Sequence, residues 1–275
     1  MDGYRCLDSE QGQGFGNLHA AGLAKWQPDP VTSTDTTSLR AIAARNNADW
    51  CASVCRSHGI ADVFGELAWC SVRRSPLYYP DAVTLHPDAA LTDFLPRIDT
   101  ESPGCSVKDS FSTLDLSADG FVELFSAQWI HRPAGFAPPE STLRTAQVST
   151  AAQLRDWQTG WHGGDATADV FRPALLDDPS VLVLAIHDGH ELCGGAVLNR
   201  SPGVVGLSNL FAVSDGELAG VWSSAVHAAV DHFPDLPIVG YEQADDLAPA
   251  LASGFSTLGA LRVWLSAADP ASSGW

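Results

Sequence analysis

The sequence predicts an α/β protein of the α+β kind, a mixed, twisted sheet flanked by helices. Three observations carry this. Apolar runs of strand length, SVLVLAIH, ELCGGAVLN and VVGLSNLFAV, follow one another between turn signals over residues 180–213. A glycine-containing turn, SDGELAG, then opens a helical pattern, VWSSAVHAAVDHF. After Pro234 the chain reads as a strand (PIVGYEQ), a short helix (DDLAPALASGF) and a closing strand (ALRVWLS). A meander followed by alternating helices and strands needs a sheet with both pairing senses and helices on its faces.

The elements before that block follow in order. Residues 1–36 are rich in Gly, Asp, Ser, Thr and Gln and read as a flexible lead-in. From Ser38, the positions Leu39, Ile42, Ala43, Trp50 and Val54 fall near helical spacing, and Gly59 reads as the C-terminal cap. ELAWCSVRR is a strand, SPLYYPD a turn, AVTLHPD a strand and ALTDFLPRID a short helix. GCSVKDSF is a strand, SADGFVEL a further helix and SAQWIHRP an aromatic strand. RPAGFAPPEST, with Pro133, Pro138 and Pro139, reads as a linker, because proline fixes φ and removes a donor. Beyond it come a strand (LRTAQVST), a helix (AAQLRDWQTGWH) and a short helix (DVFRPALL). The expected organisation is a lead-in over 1–36, domains over 37–135 and 136–268, and a tail over 269–275. A faint internal repeat links the halves: Phe121 and Trp129 in the first, Phe255 and Trp264 in the second.

Composition narrows the function. Hydrophobic residues make up 45% and charged residues 17% of the 275, enough for a substantial core. The net charge of −18 repels phosphate backbones and anionic lipid, so nucleic acid and membranes are poor partners. The longest apolar run, 181–186, is too short to span a bilayer. The six cysteines have no CxxC spacing and MDGYRCLDSE has no basic-then-apolar pattern, so a reduced cytoplasmic location is expected. There is no GxSxG or GxxxxGK[ST] motif, and GQGFG lacks a flanking strand and helix. Cys51, Cys55 and His58 share a helix face but lack a fourth ligand, so core packing rather than a metal is expected.

Over residues 140–268 the order β-α-α-β-β-β-α-β-α-β, with the glycine turn ELAGVW and the pair Gly254-Phe255, resembles the Gcn5-related N-acetyltransferase (GNAT) superfamily. The first half resembles a shortened, degenerate version, making the chain a tandem. In that family the fourth strand splays from the fifth, pantetheine pairs with the exposed backbone, and pyrophosphate rests on amides at the next helix N-terminus. The resemblance implies that Leu210, Phe211 and Val213 orient an acyl donor and that Gly216 and Gly220 hold its tail. The motif is non-standard. Glu217 stands where Gln or Arg is expected, and Trp222 where a small residue lets phosphate approach, so both weaken an acyl-CoA site. The helix before Gly254 also lacks the family's tyrosine acid.

Candidate chemistry follows from residue type and place. Glu242 and Tyr241 end the fifth strand of the pattern, where a carboxylate of raised pKa can deprotonate an amine. His131 is a titrating group near neutral pH. Asn199, Ser208, Asn209, Lys108, Asp109 and Gln128 are polar strand residues suited to bind an acceptor, although strand ends and turns carry such residues routinely. Arg73 and Arg74, beside SPLYYP, either meet an anion or pair with acids. The expected activity is acyl transfer from a thioester, acyl-CoA or carrier-bound, to an amine of a small molecule. Two alternatives stay open. One is a catalytically inactive GNAT-fold protein that binds or sequesters a ligand. The other is an amide-forming transferase using aminoacyl-tRNA, which the −18 charge makes less comfortable.

Overall fold

The computed structural model describes residues 33–163, 169–243 and 246–267. The expected tail over 269–275 and the lead-in as far as residue 32 lie outside them. Helix α1 (Ser33–Ser57) begins ahead of the apolar spacing and so takes in residues 33–36. It closes where Gly59 adopts φ 71° and donates to the Arg56 carbonyl at 2.9 Å. Then come β1 (Asp62–Phe64), β2 (Ala68–Ser71), β3 (Ala82–Thr84), β4 (Ser106–Asp109) and β5 (Phe121–Arg132). The second stretch holds β6 (Arg144–Gln147), α2 (Ala151–Trp161), β7 (Val181–Asp188), β8 (Glu191–Ser201) and β9 (Val204–Ala212). It ends with α3 (Leu218–His232), β10 (Ile238–Glu242), α4 (Leu247–Ala252) and β11 (Ser256–Ser266).

Three elements differ from expectation. ALTDFLPRID makes two 3-10 turns, Leu91–Asp93 and Leu95–Arg97, because Pro96 cannot donate to a continuing helix. SADGFVEL is helical only over Ser117–Asp119: Gly120 turns left-handed at φ 81°, and Phe121 opens β5. DVFRPALL gives the 3-10 turn Pro173–Asp177. β1 was not anticipated; three residues are too few to show a period.

The two expected halves do not form separate sheets. All eleven strands join one mixed sheet in the order β1-β2-β3-β4-β11-β5-β10-β9-β8-β7-β6. The central part reads alike from either side. β3 and β4 pair in parallel, as do β9 and β10, while β4 joins β11 and β10 joins β5 antiparallel. The midpoint is the pair Ala127↔Leu261, flanked by Ser126↔Arg262 and Gln128↔Ala260. A rotation about that midpoint carries the pair Tyr241–Trp129 onto Lys108–Val263, and Glu242–Gln128 onto Asp109–Arg262.

Trp129 and Trp264 are therefore not equivalent positions. Trp129 packs with Leu261, Val263 and Val239, and Trp264 packs with Val107 and Phe121 on the opposite face. A slip of one residue along a strand changes the face, and the spacing of the two tryptophans carries that slip.

Helices cover both faces. α1 and α2 lie on one, with Trp50, Cys51, Val54, Leu154 and Trp157 against Val183 and Val197. α3 and α4 lie on the other, with Val221, Trp222, Ala225 and Ala250 against Leu184, Leu198 and Leu207. Asn46 of α1 donates to the Asn199 carbonyl at 3.0 Å, and the Asn199 amide returns a bond to the Asn46 carbonyl at 3.0 Å. The linker is tied down by Arg132, whose guanidinium donates to the carbonyls of Ala137 (2.6 Å) and Ser253 (3.2 Å).

Candidate active site

The sheet opens between β9 and β10. Pairing across this edge consists of Ile238↔Val205 and Val239↔Gly206; Leu207–Ala212 and Gly240–Glu242 continue without register partners across it. The cause is local. On β8 the step from Gly195 to Val197 is matched on β9 by the longer step from Phe211 to Ser208, so β9 carries an extra residue. A bulge of this kind bends a strand away from its neighbour. Asn209 sits in it at φ 51°, a left-handed conformation that asparagine tolerates better than most side chains. Its side-chain oxygen accepts from Trp50 Nε1 at 3.1 Å and from the Tyr79 hydroxyl at 3.3 Å. The neighbouring Ser208 hydroxyl is buried and has no hydrogen-bond partner among the described residues.

Several predicted residues gather here. On the α1 side, Lys108 is 3% exposed; its ammonium donates to Asn47 Oδ1 at 2.8 Å and lies 4.1 Å from the Tyr241 ring centroid. Burial raises the Tyr241 phenol far above its ordinary range, aided by Cys51 and Glu242, so the hydroxyl stays protonated. Trp129 meets the same ring edge-on at 5.7 Å. Successive strand residues face opposite ways, so Glu242 and its β5 partner Gln128 lie on the α3/α4 side. The Glu242 carboxyl is pushed up to about 8, first by desolvation and then by the negative charge of Asp246. A carboxyl that titrates there holds a proton at neutral pH and becomes a base just above it.

The structure sets other candidates apart from the opening. His131 pairs with Val239 and Ser256, at the level where β9 and β10 are still joined, and burial lowers its pKa. Asp109 turns back on its own chain, accepting from the amides of Phe111 (3.2 Å) and Leu114 (2.9 Å). Asn199 is buried and spent on Asn46. Arg74 pairs with the buried Asp81 and donates to the carbonyls of Asp99 and Ser102, a structural role, while Arg73 is exposed and donates to the Gly59 carbonyl at 3.4 Å.

On the donor side, Leu210 packs against the α3 core, and Phe211 stacks edge-on to Trp157 at 5.1 Å. Val213 is exposed, and its amide is already bonded to the Cys193 carbonyl at 2.9 Å. A Cβ on Gly216, before α3, would meet only Ser214 Oγ at 3.9 Å, while one on Gly220 would meet Leu143 at 3.2 Å, so that glycine serves packing. Trp222 corrects an expectation. It is 2% exposed and packs against Phe255 at 5.7 Å, on the core stripe with Val221, Ala225 and Val226. Its indole points into the core and blocks no cradle at the helix start. Glu217 remains as the acid at the N-terminus of α3. No group of three His, Cys, Asp or Glu side chains fit to hold a metal occurs among the described residues, and no described helix is long and apolar enough to cross a membrane.

Sequence reasoning missed Trp50, Tyr79 and Asn47 as neighbours of the opening. The aromatic pair in SPLYYP was the available signal for Tyr79. Trp50 and Asn47 carried none, since a buried helix face reads as core whatever lies beneath it.

No family model matches the sequence, and no curated protein does. Solved structures do match. A GCN5-related N-acetyltransferase from Kribbella flavida is 15% identical with a TM-score of 0.56, covering 83% of this chain and 96% of its own. A putative acetyltransferase of the GNAT family from Novosphingobium aromaticivorans is 12% identical with a TM-score of 0.50, covering 79% and 98%. Both likenesses reach well beyond the second half of the chain. With the meander, the bulged β9 and the opening beside β10, they establish that this protein has the GNAT fold.

Proposed function

We propose that the protein is an N-acyltransferase that moves an acyl group from a thioester, such as an acyl-CoA, to an amine of a small molecule. The observation that carries this reading is Glu242 at the rim of the β9–β10 opening, with its carboxyl near 8. The free edge of β9 along Leu210 and Phe211 suits an extended donor arm, and Gly216 leaves room at the start of α3. The amine nitrogen attacks the thioester carbonyl carbon, and Glu242 takes one N–H proton. The C–S bond then breaks, the amide forms, and the thiolate leaves with its electron pair to be protonated by water or by Glu242. Trp50 and Tyr79 hold Asn209 so that the bulge, and with it the opening, keeps its shape.

Acetyl-CoA and its desulfo analogue, titrated by calorimetry, test donor binding. The absence of heat at millimolar ligand would sink acyl-CoA as donor. A second reading, an inactive GNAT-fold binding protein, is favoured by one observation: α1 and Tyr79 pack directly over Asn209 on the side an acceptor would approach. Donor binding without turnover across a panel of amines selects it. We also infer that the chain arose as two GNAT-like halves, 37–135 and 136–268, fused by placing β5 and β11 side by side at the sheet centre.

A further inference from the structure

The proline-rich segment after β5 and the C-terminal end of α4 enclose a cavity of about 280 Å³ between them. Pro133, Phe136, Pro139 and Ala252 give it apolar walls, and Arg132 is the charged group that lines it. No acidic side chain among the described residues does so. Arg132 shares a sheet face with Gln128 and Glu242, but it pairs with Ile238, four residues along β10 from Glu242. The two levels are about 13 Å apart at the usual rise of a strand, with Gly240 and Ile130 between them. The cavity is therefore separate from the opening between β9 and β10.

Arg132 is only 4% exposed and is held in one orientation by backbone carbonyls. Nε donates to Ser253 at 3.2 Å, and Nη2 donates to Phe136 at 3.4 Å and Ala137 at 2.6 Å. Gly254 makes room for this: it turns left-handed at φ 89°, and a Cβ there would press on Nε at 3.3 Å. The carbonyls satisfy donors but do not match the charge. No ion pair among the described residues includes Arg132. Burial lowers its pKa, and no neighbouring acid opposes that. Arg74, by contrast, meets the buried Asp81. Nη1 has no acceptor among the described residues. In a chain with 33 acids, a buried cation beside a cavity stands without a counter-charge. Such burial costs free energy that an anion bound in the cavity recovers.

We propose that this cavity is a binding site for a small apolar monocarboxylate, its carboxylate accepting from Arg132 Nη1 and its apolar part lying against Pro133, Phe136, Pro139 and Ala252. The proposal stands apart from the acyltransferase reading and does not depend on it. A carboxylate on a guanidinium makes a charge-assisted bond, stronger than any a neutral ligand could make there. The carbonyls of Ser253, Phe136 and Ala137 already surround the cation with partial negative charge, and the whole chain carries −18. Both disfavour a phosphate dianion, so one negative charge fits better than two. The guanidinium is fixed before the ligand arrives, which lowers the ordering cost of binding.

The test is titration of the full chain, without acyl donor, with phenylacetate, the uncharged phenylacetamide and inorganic phosphate, followed by ligand NMR. Phenylacetate is expected to bind saturably, and at least about tenfold more tightly than the amide or phosphate. Arg132→Gln removes the charge, and Ala252→Trp places an indole across the cavity while leaving Arg132 in place. Each is expected to weaken phenylacetate at least about tenfold. Circular dichroism shows whether each variant has folded. If Arg132→Gln has not, Ala252→Trp decides, because Ala252 is exposed and bears none of the bonds that tie the segment down. No saturable binding of phenylacetate, equal affinity for the amide, phosphate binding as tight as phenylacetate, or unchanged affinity in Ala252→Trp would each overturn the proposal.

Discussion

Glu242 and Asp109 occupy matching places at the ends of β10 and β4, on either side of the central pair Ala127↔Leu261, and their fates differ. The chain after Asp109 turns back so that the amides of Phe111 and Leu114 bond both carboxylate oxygens. Both oxygens are thereby spent on structure. Glu242 faces desolvation and the charge of Asp246, and its carboxyl rises to about 8. The same position in a symmetric sheet is structural where backbone donors reach it and left as a candidate base where they do not. The difference lies in the few residues after each strand.

The most direct way to break this comparison is Glu242→Gln. It is expected to lower kcat/KM for acyl transfer by about 10²–10⁴-fold, the usual scale for a positioned base. The wild-type rate should rise with pH through about 8 and level off above it, because only the ionised carboxylate accepts the proton. Stability should move the opposite way. The folded pKa is raised above the unfolded value, so the folded state holds the proton more tightly. Its stabilising contribution is complete below about 4.5, falls as pH rises, and is gone above about 8. Urea melts across that range should flatten in Glu242→Gln.

Trp222→Ala comes next, with a loss of about 3–5 kcal/mol of stability, because it empties a buried site against Phe255. It is expected to leave acetyl-CoA affinity unimproved; a gain by calorimetry would place the indole in the donor site after all. Asp109→Ala should cost about 1–3 kcal/mol, since two buried amides lose their acceptor. It should leave the rate profile of the remaining folded protein unchanged, the sharpest contrast with Glu242. The smallest effect belongs to Glu217→Gln. Removing one negative charge from the α3 N-terminus should tighten acetyl-CoA by about 2–5-fold, in line with roughly 0.3–1 kcal/mol for a charge there.

The sequence by itself determined the kinds of element and most of their order. Periodicity over β7, β8 and β9, the capping at Gly59 and the alternation from α3 to β11 are local properties, written where they act. It also marked Tyr241 and Glu242 as polar residues at the end of the fifth strand of the pattern. The tertiary structure decided what pairs with what. Placing β5 between β10 and β11 requires contacts far apart in sequence, and the spacing of Trp129 and Trp264 suggested a register that the sheet slips by one residue. It also decided which way Trp222 faces, since a helix stripe is assigned by what lies beneath it. The approach of Trp50, Tyr79 and Lys108 to the bulge at Asn209 belongs to the same class, because packing across a sheet leaves no local pattern in the chain.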